Sequence, residues 1–183
     1  TGHRFVHDYL TSDLWEIPSA DSHYTERLVR FQRLLSYQLR RPASSTHPMR
    51  NEFGLAPSDH VYVCAQNLGK FHPAFVQALA EVMECDPHAR LVVTSSRHAW
   101  PARTLDEILR RAMGSRFDRI KILPPLSPPK YHELLQVSDV QLDPFPFSGA
   151  NSTYDAFSFS LPVVTLEGNF QRSRFTSACY RAM

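Results

Sequence analysis

From residue 59 onward, short β-rich runs alternate with helical patterns, and this alternation limits the fold more than any other feature of the sequence. Strands that alternate with helices form right-handed βαβ units, so the sheet is predicted to be mostly parallel with helices on both faces. The predicted fold class is therefore α/β, with a Rossmann-like, doubly wound parallel sheet. The five candidate strands are residues 60–64, 91–94, 120–123, 140–142 and 162–166.

Three helices are predicted from apolar residues that recur every three or four positions. The second of them should begin at a capping box formed by Thr104 and Glu107. The apolar positions are Phe75, Ala78, Leu79, Val82 and Met83 in the first helix, Leu105, Ile108, Leu109, Ala112 and Met113 in the second, and Phe175, Ala178, Cys179, Ala182 and Met183 in the third.

Residues 1–58 follow a different pattern. Tyr24, Leu28, Phe31 and Leu35 predict an amphipathic helix over about residues 21–35, and residues 41–48 have the composition of a linker. We therefore predict three parts: residues 1–40 as the end of a preceding domain, 41–58 as a linker and 59–183 as the ligand-binding domain. Because the sequence begins with a threonine and ends inside a predicted helix, we expect a piece of a longer protein.

Composition argues against two kinds of partner. The net charge of +2 gives no sign of the basic face that binds nucleic acid. No apolar run reaches the roughly 20 residues that span a bilayer, and no signal peptide is visible, so no membrane association is expected. Cys64, Cys85 and Cys179 lack metal-ligand spacing and fall in predicted strands or helices. This is typical of reduced, buried thiols in a cytoplasmic protein.

Ligands of doubly wound domains bind beyond the carboxyl ends of the strands. The loop after the first predicted strand contains Gln66, Asn67 and Lys70. A lysine there can reach a phosphate group as a mobile point charge, and Asn67 can add amide hydrogen bonds. The alternative is a solvated surface lysine. The Walker A pattern is absent, so this loop is not a P-loop.

The loop after the fourth predicted strand leads into a helix that begins near Asn151, Ser152 and Thr153. A helix N-terminus offers unpaired N–H groups and partial positive charge, which together bind phosphate. Asp155, about one turn further, can accept hydrogen bonds from both hydroxyls of a ribose. An ordinary N-cap with a carboxylate placed against the helix dipole would use the same residues.

The loop after the third predicted strand is stiff because it contains four prolines, which fix φ. Such a loop can present backbone groups to the edge of a base, and His132 can stack on a flat ring. The alternative is a proline-rich connector whose Ser127 caps a helix. Because all three loops lie at one edge of the sheet, they can be assigned together to the phosphate, ribose and base of a single nucleotide.

Other kinds of site are not supported by the sequence. His3 and His7 lie four positions apart, but no third ligand is near them, so they are not expected to bind a metal. The Asp-x-Asp metal anchor of sugar transferases, the Gly-x-Ser-x-Gly elbow and the Gly-x-Gly-x-x-Gly dinucleotide pattern are all absent. No metal ion and no other cofactor is therefore expected.

Five blocks, in order, resemble bacterial relatives of the protein O-GlcNAc transferase family. They are residues 66–73, 125–128, 149–157, 161–168 and 172–181. Residues 5–10 and 23–28 resemble the last part of the family's N-terminal catalytic half, so the resemblance covers nearly the whole chain. It implies the C-terminal, UDP-sugar-binding lobe of a GT-B fold, with a short remnant of the preceding lobe.

The resemblance also implies an activity, the inverting and metal-independent transfer of GlcNAc from UDP-GlcNAc to Ser or Thr of a protein acceptor, usually with TPR repeats upstream. Lys70 would contact the diphosphate and, as the catalytic residue, stabilise charge on the leaving UDP. The other implied UDP-binding residues are Gln66 and Asn67 in the first block, Asn151, Ser152 and Thr153 at the diphosphate, Asp155 at the ribose, Ser127 at the uracil through its backbone, and His132 stacked on that ring.

The sequence departs from the family pattern in places. Pro129 stands where animal members carry a lysine near the base, and Ala150 replaces a histidine on the sugar side. The acceptor-side histidines are expected upstream of Thr1, so we expect this chain alone to be inactive. Two alternatives stay open: a GT-B transferase for another UDP-sugar or acceptor, such as glucose on asparagine, and an inactive nucleotide-binding scaffold lobe.

Overall fold

Two parallel sheets account for all strands in the part of the chain that the computed structural model describes, residues 2–39 and 48–183. Strands β1 (Asp8–Ser12) and β2 (Arg27–Phe31) form a small N-terminal sheet. The larger sheet has the order β5-β4-β3-β6-β7, so winding proceeds outward in both directions from β3. This order confirms the predicted Rossmann-like fold. Its strands are β3 (His60–Cys64), β4 (Ala89–Thr94), β5 (Ile120–Leu123), β6 (Val140–Leu142) and β7 (Val163–Val164).

All five predicted strands of the larger sheet form, and two differ in length from the prediction. Strand β4 begins at Ala89, two residues early, because it pairs with β3 along its whole length from His60 onward. Strand β7 contains only Val163 and Val164 rather than residues 162–166. It is an edge strand whose pairing partners are two residues of the short strand β6.

Five α-helices of the described residues connect and follow these strands, and the first, second and last confirm the helices predicted from periodicity. The predicted start of the second helix at Thr104 is wrong, because α2 begins five residues earlier at Ala99. Pro101 occupies the first turn, where a missing N–H costs no helical hydrogen bond. Thr104 lies inside the helix, and its hydroxyl donates to the Trp100 carbonyl at 2.9 Å. The helices are α1 (Pro73–Cys85), α2 (Ala99–Met113), α3 (Pro128–Val137), α4 (Asn151–Ser158) and α5 (Phe175–Arg181).

Side chains of the central strands alternate between two apolar clusters, one on each face of the larger sheet. Val61, Val63 and Val92 pack on the face that is covered by α3 and α4. Leu91 and Val93 pack on the opposite face, under α1 and α2. Helices therefore cover both faces, which is why β3 and β4 are apolar along most of their length.

The predicted helix over residues 21–35 is wrong. A single 3₁₀ turn, Ala20–His23, is followed by strand β2. Strand β2 pairs in parallel with β1, with Arg27 opposite Asp8, and the Arg27 Nε lies 2.6 Å from a carboxylate oxygen of Asp8. The backbone hydrogen bonds of this segment thus go to a strand 19 residues earlier. This strand pairing overrides the weak helical preference indicated by the spacing of the apolar residues.

The N-terminal sheet is attached to helix α5 and the loop before it. The ring of Trp15 stacks on Phe175 with centroids 5.7 Å apart. Arg174 donates from Nε to the Trp15 carbonyl at 2.7 Å, and Tyr9 donates to Gln171 at 3.0 Å. The end of the chain therefore holds residues 8–31 in place.

The predicted domain boundaries at residues 40 and 58 stay a prediction, since residues 40–47 of the linker region lie outside the described residues. Phe53 and Leu55, later in that region, are buried in the cluster beneath α3. Cys64 and Cys179 are buried as expected, but Cys85 is exposed at the last residue of α1, so the prediction for it is wrong. In the described residues we find no helix with both the length and the apolarity to cross a membrane.

Candidate functional site

A polar cleft lies at the carboxyl edge of the larger sheet, where the order of the strands changes direction. It consists of two cavities of about 300 and 390 Å³ that share the wall formed by Ala65, Thr94 and Ser95. The first is also lined by Gln66, Asn67 and residues at the start of α2. The second is also lined by Arg97, Pro125, Leu126, Tyr131, Ser152 and Asp155. The loops after β3, β4 and β5 therefore meet the N-terminus of α4 here.

Gln66 and Asn67 organise the loop after β3. The Gln66 side-chain amide donates to the Ser152 hydroxyl at 2.5 Å, which ties this loop to the first turn of α4. Asn67 caps the short 3₁₀ helix Leu68–Lys70, because its Oδ1 accepts the Gly69 N–H at 3.0 Å. The cap uses the oxygen of Asn67 and leaves the two N–H donors of its amide for another partner.

Lys70 is half-buried and does not behave as a solvated surface lysine. Its Nζ donates to the Ser148 carbonyl at 2.8 Å and lies 4.8 Å from the centroid of the Phe147 ring. Burial lowers the pKa of Lys70, while the negative charge of Asp143 opposes that shift. The ammonium group is thus held beside the loop that leads into α4.

The N-terminus of α4 has no side-chain cap, and its first polar residues do not all face the cleft. Ser152 lines the second cavity, whereas the exposed Asn151 accepts a hydrogen bond from Gln38 at 3.1 Å. Thr153 is fully buried, and its hydroxyl lies 2.9 Å from that of Thr176. The predicted side-chain contact of Thr153 with a diphosphate does not fit this geometry, because that hydroxyl points into the protein.

Asp155 and His132 lie close together, with His132 Nε2 3.9 Å from a carboxylate oxygen of Asp155. Asp155 lines the second cavity. The His132 ring packs against Phe159 with centroids 5.3 Å apart, and Tyr131 rather than His132 lines the cavity. His132 is therefore better placed to support Asp155 and Tyr131 than to stack on a base.

Ser127 is exposed at the N-cap of α3, and its carbonyl accepts the Tyr131 N–H at 2.9 Å. That carbonyl is used by the helix, and the wall of the cavity is formed by Pro125 and Leu126 instead. Leu126 and Pro125, one and two residues before Ser127, are thus the residues of this loop that line the second cavity.

Sequence reasoning missed Arg97 and Tyr131, which both line the second cavity. The Tyr131 hydroxyl is buried without a hydrogen-bond partner among the described residues, and burial together with the charge of Asp155 raises its pKa. Arg97 brings a cation to the same cavity as Asp155. Its position could have been inferred, because Arg97 lies in the loop at the carboxyl end of β4.

No three His, Cys, Asp or Glu side chains come together as a metal-binding group within residues 2–39 and 48–183. The cleft is instead lined by amides, hydroxyls, Arg97 and Asp155, with Lys70 next to it. Amide, hydroxyl and cationic donors suit phosphate oxygens, and a single carboxylate suits a pair of sugar hydroxyls.

A parallel sheet in the order β5-β4-β3-β6-β7 with this cleft at its carboxyl edge matches the C-terminal lobes of GT-B glycosyltransferases. The structure of a Thermobaculum terrenum O-GlcNAc transferase mutant superposes with a TM-score of 0.77 and 28% sequence identity, over 96% of this chain and 33% of that chain. The glycosyltransferase WaaG has a TM-score of 0.53 at 14% identity, over 72% of this chain and 34% of its own, and shows the shared fold alone.

Curated relatives point to the same family. The chain is 24% identical over 165 residues to a probable UDP-N-acetylglucosamine–peptide N-acetylglucosaminyltransferase SPINDLY of Solanum lycopersicum, and 25% identical over 170 residues to its namesake from Hordeum vulgare. These alignments cover 88% of this chain but 18% and 17% of the relatives, so the chain spans less than a fifth of their length. No protein-family model matches. The comparisons confirm the resemblance to O-GlcNAc transferases that the sequence blocks indicated.

Proposed function

We propose that this chain binds the UDP portion of a UDP-sugar, with UDP-GlcNAc as the donor, and acts as the donor-binding lobe of an O-GlcNAc transferase-like enzyme. The observation that supports this most directly is the pair of hydrogen bonds across the strand switch point, Lys70 to Ser148 and Gln66 to Ser152. They bring a lysine, a helix N-terminus and the carboxylate of Asp155 to one edge of the sheet.

The parts of a nucleoside diphosphate match the cleft in order. Pro125, Leu126 and Tyr131 offer flat apolar surfaces to a base, and the Asp155 carboxylate can accept hydrogen bonds from ribose hydroxyls. The diphosphate then reaches the first turn of α4, where helical N–H groups and the positive end of the helix dipole favour anions. Lys70 and Arg97 add positive charge on either side.

In this proposal Lys70 acts electrostatically. When the bond between the sugar and the diphosphate breaks, negative charge grows on the leaving UDP, and a preorganised ammonium lowers the energy of that state without a metal ion. Transfer to a Ser or Thr of a protein acceptor would also need acceptor-side groups, which the resemblance assigns to an N-terminal lobe. We further propose a cytoplasmic location, on the basis of the three free cysteines.

The binding proposal is tested by titrating UDP into the ¹⁵N-labelled chain and following its amide signals. We expect the signals of residues 65–67, 94–97, 126 and 149–155 to shift. Asp59 and Asp139, at the opposite end of the sheet, serve as internal references whose signals should stay in place. No shift at the cleft, or shifts confined to the opposite end, would refute the proposal.

The donor sugar is a separate question, because Ala150, the residue before α4, offers no polar side chain. A second candidate function is therefore the binding of a UDP-sugar other than UDP-GlcNAc. Competition of UDP-GlcNAc and UDP-glucose for the same site separates the two. Tighter binding of UDP-GlcNAc than of UDP-glucose supports our proposal, whereas a preference for UDP-glucose supports the alternative.

A further inference from the structure

Asp143, directly after β6, is a buried carboxylate that joins three separate segments. Its side chain is largely inaccessible, with 3% of the residue exposed. One carboxylate oxygen accepts the Gly149 N–H at 2.5 Å. The other accepts the hydroxyls of Thr165 at 2.8 Å and Thr176 at 2.6 Å. Asp143 thereby connects the loop before α4 with the segment after β7 and with helix α5.

The same network reaches the first turn of α4 by a second route. The Thr176 hydroxyl, which donates to Asp143, lies 2.9 Å from the hydroxyl of Thr153 in α4. Both threonines are fully buried. Asp143 thus supports this turn from two sides, through Gly149 at its entry and through Thr153 inside it.

The turn around Gly149 is packed without spare room. A Cβ atom at this position would lie 2.6 Å from the Ser152 hydroxyl and 3.1 Å from a carboxylate oxygen of Asp143. Because Ser152 lines the cleft, a shift of this turn would move a cleft residue directly.

A buried carboxylate near an anion-binding site needs a physical reason, since it repels the ligand and loses its own hydration. Its three hydrogen-bond donors compensate for the lost water. The carboxylate also holds the anion-binding turn in one position. This benefit to ligand binding offsets the repulsion between the carboxylate and the anion.

We propose that Asp143 is a positioning residue that fixes the Gly149–Ser152 turn so that its donors meet the diphosphate of the nucleotide, an inference that rests on the proposed UDP binding. It touches no ligand itself. Loss of the carboxylate should therefore weaken diphosphate binding, because the turn loses its support. Loss of a nearby negative charge alone would have the opposite effect and strengthen that binding.

The test compares UDP with uridine, which lacks the diphosphate, in the wild-type chain and in the variants Asp143→Asn and Asp143→Ala. The asparagine keeps one oxygen for Gly149, whereas the alanine removes every acceptor. We expect UDP affinity to fall about threefold in Asp143→Asn and about tenfold or more in Asp143→Ala, with uridine affinity within about twofold in both. If the alanine variant does not fold, the asparagine variant alone decides the outcome.

Asp139→Asn is the matched control, since Asp139 lies just before β6 at the opposite end of the strand. It accepts the Val61 N–H at 2.7 Å and pairs with Arg50 at 2.6 Å. This variant should lose stability while keeping UDP affinity.

Unchanged or tighter UDP binding in the Asp143 variants would overturn the positioning role and leave the proposed function standing. Equal losses for UDP and uridine would also overturn it, because they would show general damage to the fold. If the wild-type chain binds no UDP, the proposed function itself fails, and the role of Asp143 at a diphosphate fails with it.

Discussion

Lys70 and Ser148 are joined by a hydrogen bond of 2.8 Å from Nζ to the backbone carbonyl, although 78 positions separate them in the sequence. Ser148 is itself fixed, because its N–H and its hydroxyl both donate to the Arg172 carbonyl, at 2.8 and 3.0 Å. The protein therefore orients the lysine toward the entrance of α4 before any ligand binds. A preorganised charge of this kind needs no rearrangement when negative charge develops nearby.

UDP affinity should depend on pH through Lys70. Burial lowers the pKa of this ammonium from its ordinary value of 10.5, so Lys70 loses its proton at a lower pH than a solvated lysine. The protonated form attracts the diphosphate, and affinity should therefore be full below the lowered pKa and fall as the pH rises through it. Calorimetry between about pH 7 and pH 10 measures this in the wild type and in Lys70→Ala.

The ratio of the two affinities isolates the lysine, because any titration of UDP itself affects both proteins equally. The advantage of the wild type over Lys70→Ala should shrink toward alkaline pH. If the wild type binds UDP no more tightly than Lys70→Ala at neutral pH, the Lys70 charge does not contribute to binding.

Gly149→Ala should destabilise the chain and weaken UDP binding. The added methyl group would meet the Ser152 hydroxyl at 2.6 Å and oxygens of Asp143 and Thr153 at 3.1 Å each. Overpacking of this kind costs about 1–3 kcal/mol, which thermal unfolding can detect. Gly69→Ala is the control, because its Cβ would meet its nearest neighbour at an ordinary 3.6 Å. Equal unfolding temperatures for the two variants would contradict the tight packing at Gly149.

Arg174→Ala should loosen the N-terminal sheet. The Arg174 guanidinium donates to the Trp15 carbonyl at 2.7 Å and to the Gly168 carbonyl at 3.1 Å, and it pairs with Glu167 at 3.3 Å. Its removal should cost about 1–3 kcal/mol and speed amide hydrogen exchange in β1 and β2 more than in β3 and β4. The exposed Arg103 provides the control variant, Arg103→Ala. Exchange in β1 and β2 that matches this control would show that Arg174 does not hold the N-terminal sheet.

The larger sheet could be predicted because each of its strands is recognisable from a short stretch of sequence. Residues 61–64 and 91–93 are mostly apolar and rich in valine since both faces of these strands are buried, and strands of this kind stand out from amphipathic helices. Strand β2 could not be found in this way. Its backbone partners lie in β1, and only the three-dimensional structure shows that pairing.

The loops that line the cleft could be predicted from the sequence, but the side chains that face it could not. Asn151, Ser152 and Thr153 look equivalent in the sequence, yet each helical position is rotated by about 100° from the last, so Ser152 faces the cleft and Thr153 faces Thr176. The role of Asp143 could not be predicted from the sequence, because its partners Thr165 and Thr176 follow 22 and 33 positions later.

In the proposed function, Lys70 and Asp155 hold different parts of one nucleotide. Titration of UDP and of uridine into the wild type, Lys70→Ala and Asp155→Asn tests it most directly, with Lys121→Ala as a control for the loss of a surface lysine. Lys70→Ala should lower UDP affinity about tenfold or more and leave uridine affinity within about twofold, while Asp155→Asn should weaken both ligands alike. Wild-type affinity for UDP in both variants would contradict the account.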